Sequence, residues 1–546
     1  MGRLGESNRL WPAVPPQPTG FNRQQALPPD HRLRTLRRTS CGISPFRQNL
    51  RQSLNRMGVH RFRIEPSTLI PAGQVPSAYL TGADGRVHVT RCEVRDGVLN
   101  LFRQSSESAT SHIPVTLPER GQLILSTTSL PERDQPYHLG VELLRGALCE
   151  VREQASAWEL ARMVLPERYR NLQRQAFHSM AQASGSQTES ELCNSAVLNG
   201  LRQTLEAGDS LVEAYVVQRS SSSRSNAGSP ALLGCTLDAT ALQARDLFTG
   251  AFNSARVPIE WRWIEPEEGN YQWQLLDHLI ERCIDPRTAI IGGPLLDFTA
   301  HGLPKWLAPW AGDILNLPSF VCDFVETAIN RYTGRIRMWE VAAYGNLGGA
   351  LALSEEHRLA VIARAMETAL RTDSDAQFFV RVGQPWGEYL AQGNHRLSPF
   401  QLVDALLRSH LGLTGVTLEI AMGYGPPGSL TRTRLAVSRL IDLWSLLGIQ
   451  LHVVLACPSR TGADPAAYGG CDVQSGTWRM NWSEESQTAW LDEFVPMIAA
   501  KPAVTGVFLS SFGDSLAHRY PHSGLLRPDG TAKPAIEVFQ GRRQFG

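Results

Sequence analysis

The sequence predicts an α/β chain, a (β/α)8 TIM barrel over residues 233–540 preceded by a small β-sandwich and a helical connector. Three observations predict it. From Cys235 to Phe539 short apolar runs of strand length alternate with longer runs of helical period. Residues 57–135 instead show period-two alternation broken by Asp-Gly turns. Between them, residues 136–218 adopt the helical period. The length, 546 residues, accommodates two to four domains, and a composition of 42% hydrophobic and 19% charged residues is that of a folded chain.

Residues 1–56 stand apart. They hold ten arginines, no lysine, only Glu6 and Asp30 as acids, and a cluster of prolines at 12, 15, 16, 18, 28 and 29 besides Pro45. This is expected to be a disordered basic extension. It reads as an arm for nucleic acid or a membrane surface, as a targeting peptide without its apolar run, or as sequence upstream of a true start at Met57. The sandwich is expected from Arg86–Thr90, Val98–Phe102 and Leu123–Ser126, with turns at Gly82–Gly85 and Asp96-Gly97. Such modules often bind carbohydrate and as often only pack. Helical runs start at Leu139 and continue through Trp158–Leu165, Tyr169–Ala183 and Ser190–Val217. The polar stretch Ser220–Pro230 marks a linker over 219–232.

In the barrel region the expected strands are Leu247–Ser254, Thr288–Ile291, Arg335–Val341, Gln377–Val382, Val416–Met422, Gln450–Ala456 and Val504–Ser510. The helices between them are Leu276–Cys283, Ser319–Tyr332, Ser354–Arg371, Pro399–His410, Arg432–Leu447 and Glu484–Ala500. Repeated βα units require a parallel sheet, and seven or eight of them in about 300 residues fit a closed barrel. Chemistry in that fold sits where strands end.

Several function classes are excluded. A net charge of +1 offers no whole-chain footprint for nucleic acid, so that partner is expected only if the basic arm is real. No apolar run is long enough to span a membrane. Nine cysteines without a C-x-x-C pair suggest reduced thiols and a cytoplasmic protein, and no secretory signal follows Met1 or Met57. Gly423-Tyr424-Gly425-Pro426-Pro427-Gly428 matches a dinucleotide fingerprint, but Pro426 and Pro427 have no N–H for a pyrophosphate. His518 and His522 lie four apart with Tyr520-Pro521 between them and no third ligand in view. Neither cofactor nor metal is expected. The oligomeric state is not legible.

The segment from Phe252-Asn253-Ser254 to Glu265-Pro266-Glu267-Glu268-Gly269-Asn270-Tyr271-Gln272-Trp273 resembles the opening of glycoside hydrolase family 10, the xylanase family. Leu303-Pro304-Lys305-Trp306, Trp339-Glu340-Val341, Gly448–His452 and Pro528-Asp529-Gly530-Thr531-Ala532-Lys533-Pro534-Ala535 resemble later family motifs in order and spacing, across residues 240–540. The resemblance implies a retaining glycosidase with two glutamates. At the acid/base position this chain has Tyr344, or Leu347 if Asn346 takes the family asparagine's place. At the nucleophile position it has Leu455. The gripping tryptophan persists as Trp261, next to Glu260. Gly293, Phe298 and Ser510 stand where the resemblance implies two histidines and a tryptophan.

Other carboxylates remain near predicted strand ends. Glu388 stands among Pro385, Trp386, Gly387 and Tyr389, and Glu419 lies within an apolar strand where a charge needs a partner or a pocket. Glu388 and Glu419 are therefore the candidate catalytic pair. The alternative is that such groups only neutralise internal arginines such as Arg262, Arg335 or Arg381. Candidate substrate-binding residues are Glu260, Trp261, Asp297, Trp306, Glu340, Tyr344, Asn346, Trp386, Tyr424, His452 and Asp514. Trp261, Trp263, Trp306, Trp339 and Trp386 all fall in barrel loops or strand ends, where aromatic faces suit sugars, although a large aromatic is more often core. Two functions stay open. One is a divergent glycosidase acting on a β-linked oligo- or polysaccharide without the family pair. The other is a non-catalytic carbohydrate-binding or scaffold protein on the same fold.

Overall fold

The computed structural model describes residues 58–70, 77–223, 231–283, 285, 288–313, 315–474 and 478–543. The basic extension of residues 1–56 and most of the polar linker lie outside these.

The N-terminal module has eight strands: β1 (Gly58–Arg63), β2 (Tyr79–Thr81), β3 (Val87–His88), β4 (Arg91–Arg95), β5 (Val98–Arg103), β6 (Ala109–Leu117), β7 (Gly121–Leu130) and β8 (Tyr137–His138). They form two four-stranded sheets, β4-β5-β1-β8 and β3-β2-β6-β7. Three helices follow, α1 (Leu139–Leu160), α2 (Glu167–Gly185) and α3 (Ser190–Ser223). Phe62, Leu99 and Leu101 from one sheet and Leu80, Ile113 and Leu125 from the other share a core with Leu139–Leu144 of α1 and Val197 and Leu201 of α3.

These helices tie the N-terminal sheets to the barrel. Buried apolar residues along α1 and α3 serve two cores in turn. Leu143, Leu144, Ala147 and Leu148 of α1 belong to the N-terminal core, whereas Val151, Ala155 and Trp158 belong to the barrel core. In α3 the same handover falls between Leu205 and Ala207. Charged contacts seal the junction. Arg434 reaches Asp209 at 3.1 Å and Glu213 at 3.0 Å, and Lys501 lies 5.3 Å from the Trp158 ring.

The barrel is closed by eight parallel strand positions: β9 (Leu232–Thr236), β10 (Ser254–Val257), β11 (Ala289–Gly292) continued as β12 (Leu296–Asp297), β13 (Met338–Ala343), β14 (Gln377–Val382), β15 (Leu413–Ala421), β16 (Gln450–Ala456) and β17 (Val504–Leu509). β17 pairs with β9, and β11 with β13, so no edge remains. The break between β11 and β12 falls at Gly293, whose φ is 117°; a Cβ there would meet the Glu340 carbonyl oxygen at 2.3 Å.

The first strand was misread. Residues 245–251 form a helix rather than a strand, because Phe248 and Phe252 stand four apart and pack as a pair at 5.2 Å, with Phe512 beside them. β9, a five-residue strand that begins two residues after Pro230, takes the first position instead. The remaining strands and helices fall within a few residues of expectation. Their starts are fixed by caps: Ser354, Ser398, Thr433 and Ser483 each accept a backbone N–H with the side chain. Among the described residues no helix is long and apolar enough to cross a membrane.

Gly146 lies in the middle of α1, where alanine would normally gain about 1 kcal/mol of helix propensity. Here a Cβ would meet the Ser126 carbonyl oxygen of β7 at 1.9 Å. Gly146→Ala is therefore expected to destabilise the protein by ~1–3 kcal/mol through overpacking, read as a lower Tm. An unchanged or raised Tm would mean that α1 does not sit directly on β7.

Candidate functional site

Barrel strands are covered on both faces, so a charge carried on one must find its partner in the bore. Arg256 of β10 donates to Glu340 of β13 at 2.8 Å. Arg381 of β14 meets the other Glu340 oxygen at 2.7 Å and Glu419 of β15 at 3.3 Å. Glu340 is fully buried. Burial alone would push its carboxyl up, but the Arg256 and Arg381 charges outweigh it and hold the group down at about 2.

Glu419 is enclosed from the opposite side. Tyr344 donates its hydroxyl to Glu419 Oε2 at 2.5 Å, and Tyr520 donates to Oε1. Burial pushes both phenols well above their ordinary range, so both remain donors. Tyr344 reaches this position with φ of 59°, a left-handed conformation uncommon for an aromatic residue and typical of functional sites. Arg519 stacks on the Tyr344 ring at 3.8 Å and bonds Asp297 at 3.3 Å.

Above this network opens a cavity of about 610 Å³. Its lining includes Thr236, Pro258, Gly293 and Ser510, each just at or past the end of its strand, so it lies at the carboxyl end of the barrel. Arg256, Arg381 and Glu419 form part of its floor, and Asp238, Glu260, Asp297, His518 and Arg519 its polar walls. Trp263 stands in the wall with 59% of its surface exposed. Tyr468 faces it and donates to Glu260 at 3.1 Å, while Arg262 lies over both rings at 4.7 Å. Asp238 accepts from the Thr240 backbone and hydroxyl, and burial raises its carboxyl.

The candidate pair is not brought together. Glu419 lines the cavity, but Glu388 is no part of that lining. It bonds Arg432 at 2.8 Å and the Leu430 N–H at 2.8 Å, and Arg432 also bonds the Tyr79 hydroxyl of the N-terminal module. Trp386 lies under the same guanidinium at 4.5 Å. The loop after β14 thus faces the N-terminal module, because Arg432 recruits its one carboxylate there.

Of the candidate binding residues, Glu260 and Asp297 line the cavity. Glu340 and Tyr344 build its floor through Glu419 and the arginines. The others lie elsewhere. Trp261 is buried, stacked on Phe324 at 4.8 Å, with its indole N–H on Glu265 at 2.7 Å. Trp306 donates to the Glu265 carbonyl at 3.0 Å and packs edge-on against Trp261. Asn346 donates to the Gly383 carbonyl at 2.9 Å. Tyr424 bonds the Pro521 carbonyl at 3.0 Å. Asp514 pairs with Lys533 at 2.5 Å. His452 is buried between Phe379 at 4.1 Å and Phe508 at 5.0 Å; burial, then the Arg256 charge, pushes it down to about 3, so it is a neutral bore residue. Leu455, at the position of the implied nucleophile, is core.

Sequence reasoning named Arg381 and Arg262 as possible neutralising partners, and they are so for Glu340, Glu419 and Glu260. It missed Arg256, Arg519, Tyr468 and Tyr520. Arg256 carried a usable signal, an arginine inside Ser254–Val257. The other three come from loops whose course no local pattern betrays.

Residues 249–319 match the family model described as beta-galactosidase. Among solved structures, the chain is similar to xylanase 10B from Thermotoga petrophila RKU-1 in complex with xylobiose, at 13% identity over 58% of this chain and 94% of that one, with a TM-score of 0.43. Xylanase 10B from Thermotoga maritima gives 14% identity, 60% and 97% coverage and a TM-score of 0.43. A Thermobacillus composti GH10 xylanase gives 17% identity, 57% and 96% coverage and a TM-score of 0.42.

Because the Glu340 carboxyl is depressed in the folded state, its contribution to stability is complete above about pH 4.5 and is lost as pH falls towards 2. The difference amounts to about 3 kcal/mol. Glu340→Gln leaves Arg256 and Arg381 without that charge and is expected to cost ~3–5 kcal/mol at pH 7, with a shallower loss of stability below pH 4.5. Tm measured from pH 7 to pH 3 checks both. Parallel curves for the variant and the wild type would mean that the arginines do not depend on Glu340.

Proposed function

We propose that this chain binds a carbohydrate in the cavity at the carboxyl end of its barrel and does not hydrolyse it by glutamate-pair displacement. One observation carries the reading. The floor carboxylate, Glu419, is occupied by two phenols and an arginine, and Glu340 beneath it by two arginines. A retaining or inverting glycosidase needs one carboxyl protonated near neutral pH beside a second, ionised one. Glu340, held ionised by Arg256 and Arg381, is the opposite of an acid. The walls suit a sugar instead. Trp263 offers an exposed aromatic surface, and Glu260, Asp297 and Arg519 line the same cavity.

A second reading rests on Asp238. Burial raises its carboxyl, and it lines the same cavity, so it is the wall residue best suited to give up a proton. In that reading the protein is a divergent glycosidase acting on a β-linked substrate, with Asp238 as acid. Free thiols at seven cysteines among the described residues support a reducing, cytoplasmic setting for either function.

The test combines calorimetry and hydrolysis on the full chain, with xylo-oligosaccharides, β-galactosides and their aryl glycosides as the panel. Binding of at least one sugar without aryl release is expected. Trp263→Ala should weaken that binding about tenfold, ~1.4 kcal/mol. Aryl release that disappears in Asp238→Asn would replace the binding reading with the second one. No binding and no release across the panel would sink both for these sugars.

A further inference from the structure

The N-terminal module contains a buried cation without a hydrogen-bond partner among the described residues. Arg103, at the end of β5, is only 2% exposed, and its Nε and both terminal nitrogens have no hydrogen-bond partner. An uncompensated guanidinium inside a protein is costly, so such a group calls for an anion.

The strand registers show what surrounds it. On β1 and β5 the inward residues pair as Gly58 with Arg103 and His60 with Leu101. His60 and Arg103 are therefore diagonal neighbours on one face. On the opposite sheet Leu80 pairs with both Ser111 and His88, which sets these three side by side. His60 Nδ1 lies 3.4 Å from Ser111 Oγ, so the two faces meet at this point. Burial, then the Arg103 charge, pushes His60 down to about 4. The Nε2 atoms of His60 and His88 are likewise buried without partners. His60 is 1% exposed, whereas the His88 side is half-buried and gives a route from solvent.

We propose that Arg103, His60 and His88 form a binding site for a small oxyanion between the two sheets. The guanidinium supplies a planar fork of donors and the fixed positive charge. With Nδ1 accepting from Ser111, His60 presents Nε2–H, and His88 adds a third direction from the rim. Glu107 and Glu132 act on Arg103 and neither bonds it, while Asp84 acts on His88. They leave the fork open while keeping the net charge of the region low. Phosphate, sulfate and a carboxylate share the required chemistry. The site is remote from the barrel cavity in sequence and in sheet, and it does not rest on the carbohydrate reading.

The test is the Tm of the full chain in sodium phosphate, sulfate or acetate, each against chloride at matched ionic strength, with Arg103→Met in parallel. An oxyanion at ~10–100 times its Kd should raise the wild-type Tm by a few degrees, and Arg103→Met should not respond. A rise with phosphate and sulfate alone assigns a tetrahedral anion, and a rise with acetate alone assigns a carboxylate. No rise over chloride in the wild type overturns the site. An equal rise in Arg103→Met also overturns it, since that is the general effect of excluded salts. Should Arg103→Met fail to fold, His88→Ala at the rim serves instead, with at least a threefold weaker response expected and an unchanged one counting against the site.

Discussion

Arg381 is shared by two carboxylates, and much else follows from that sharing. Glu340 and Glu419 come from strands on either side of it, and one guanidinium holds both. Arg256 completes the pairing with Glu340 below, and Tyr344 and Tyr520 complete the pairing with Glu419 above. Removing any member would leave a neighbour buried without compensation, which is the expensive event in such networks. The positive φ of Tyr344 is held by the same logic, because its hydroxyl must reach a carboxylate inside the bore.

This arrangement decides the chemistry the barrel floor can perform. General-acid catalysis requires a carboxyl whose surroundings favour the neutral form. Here three cations, Arg256, Arg381 and Arg519, face Glu340, Glu419 and Asp297 through direct contacts. Arg256, Arg381 and Glu419 remain part of the cavity floor, and Glu260, Asp297 and Arg519 part of its walls.

The barrel was legible in the sequence because buried parallel strands read as apolar runs and their helices carry caps. Gln377–Val382 and Gln450–Ala456 fall at their expected limits. The first strand was not legible: β9 is short and flanks a polar segment, and the helix that follows has aromatic residues that also suit a strand. In the site, Glu419 stood out as a charge in an apolar strand, and it does line the cavity. Glu388 stood out for its aromatic neighbours, yet Trp386 packs beneath Arg432 and Tyr389 against His395. The residue that decides its orientation lies 44 positions away, and that contact depends on how the N-terminal module docks.

The division of α1 and α3 between two cores has a bearing on how the chain is made. Trp158 and Tyr215 stack at 4.5 Å, and Lys501 completes that contact, 343 positions after Trp158. At about 5–20 residues per second, a ribosome needs roughly 20–70 s to reach that lysine. The first halves of these helices can dock on the emerging sheets at once. Their second halves wait, apolar side outward, until most of the barrel exists. The nascent chain thus carries an adhesive surface for as long as the barrel is incomplete.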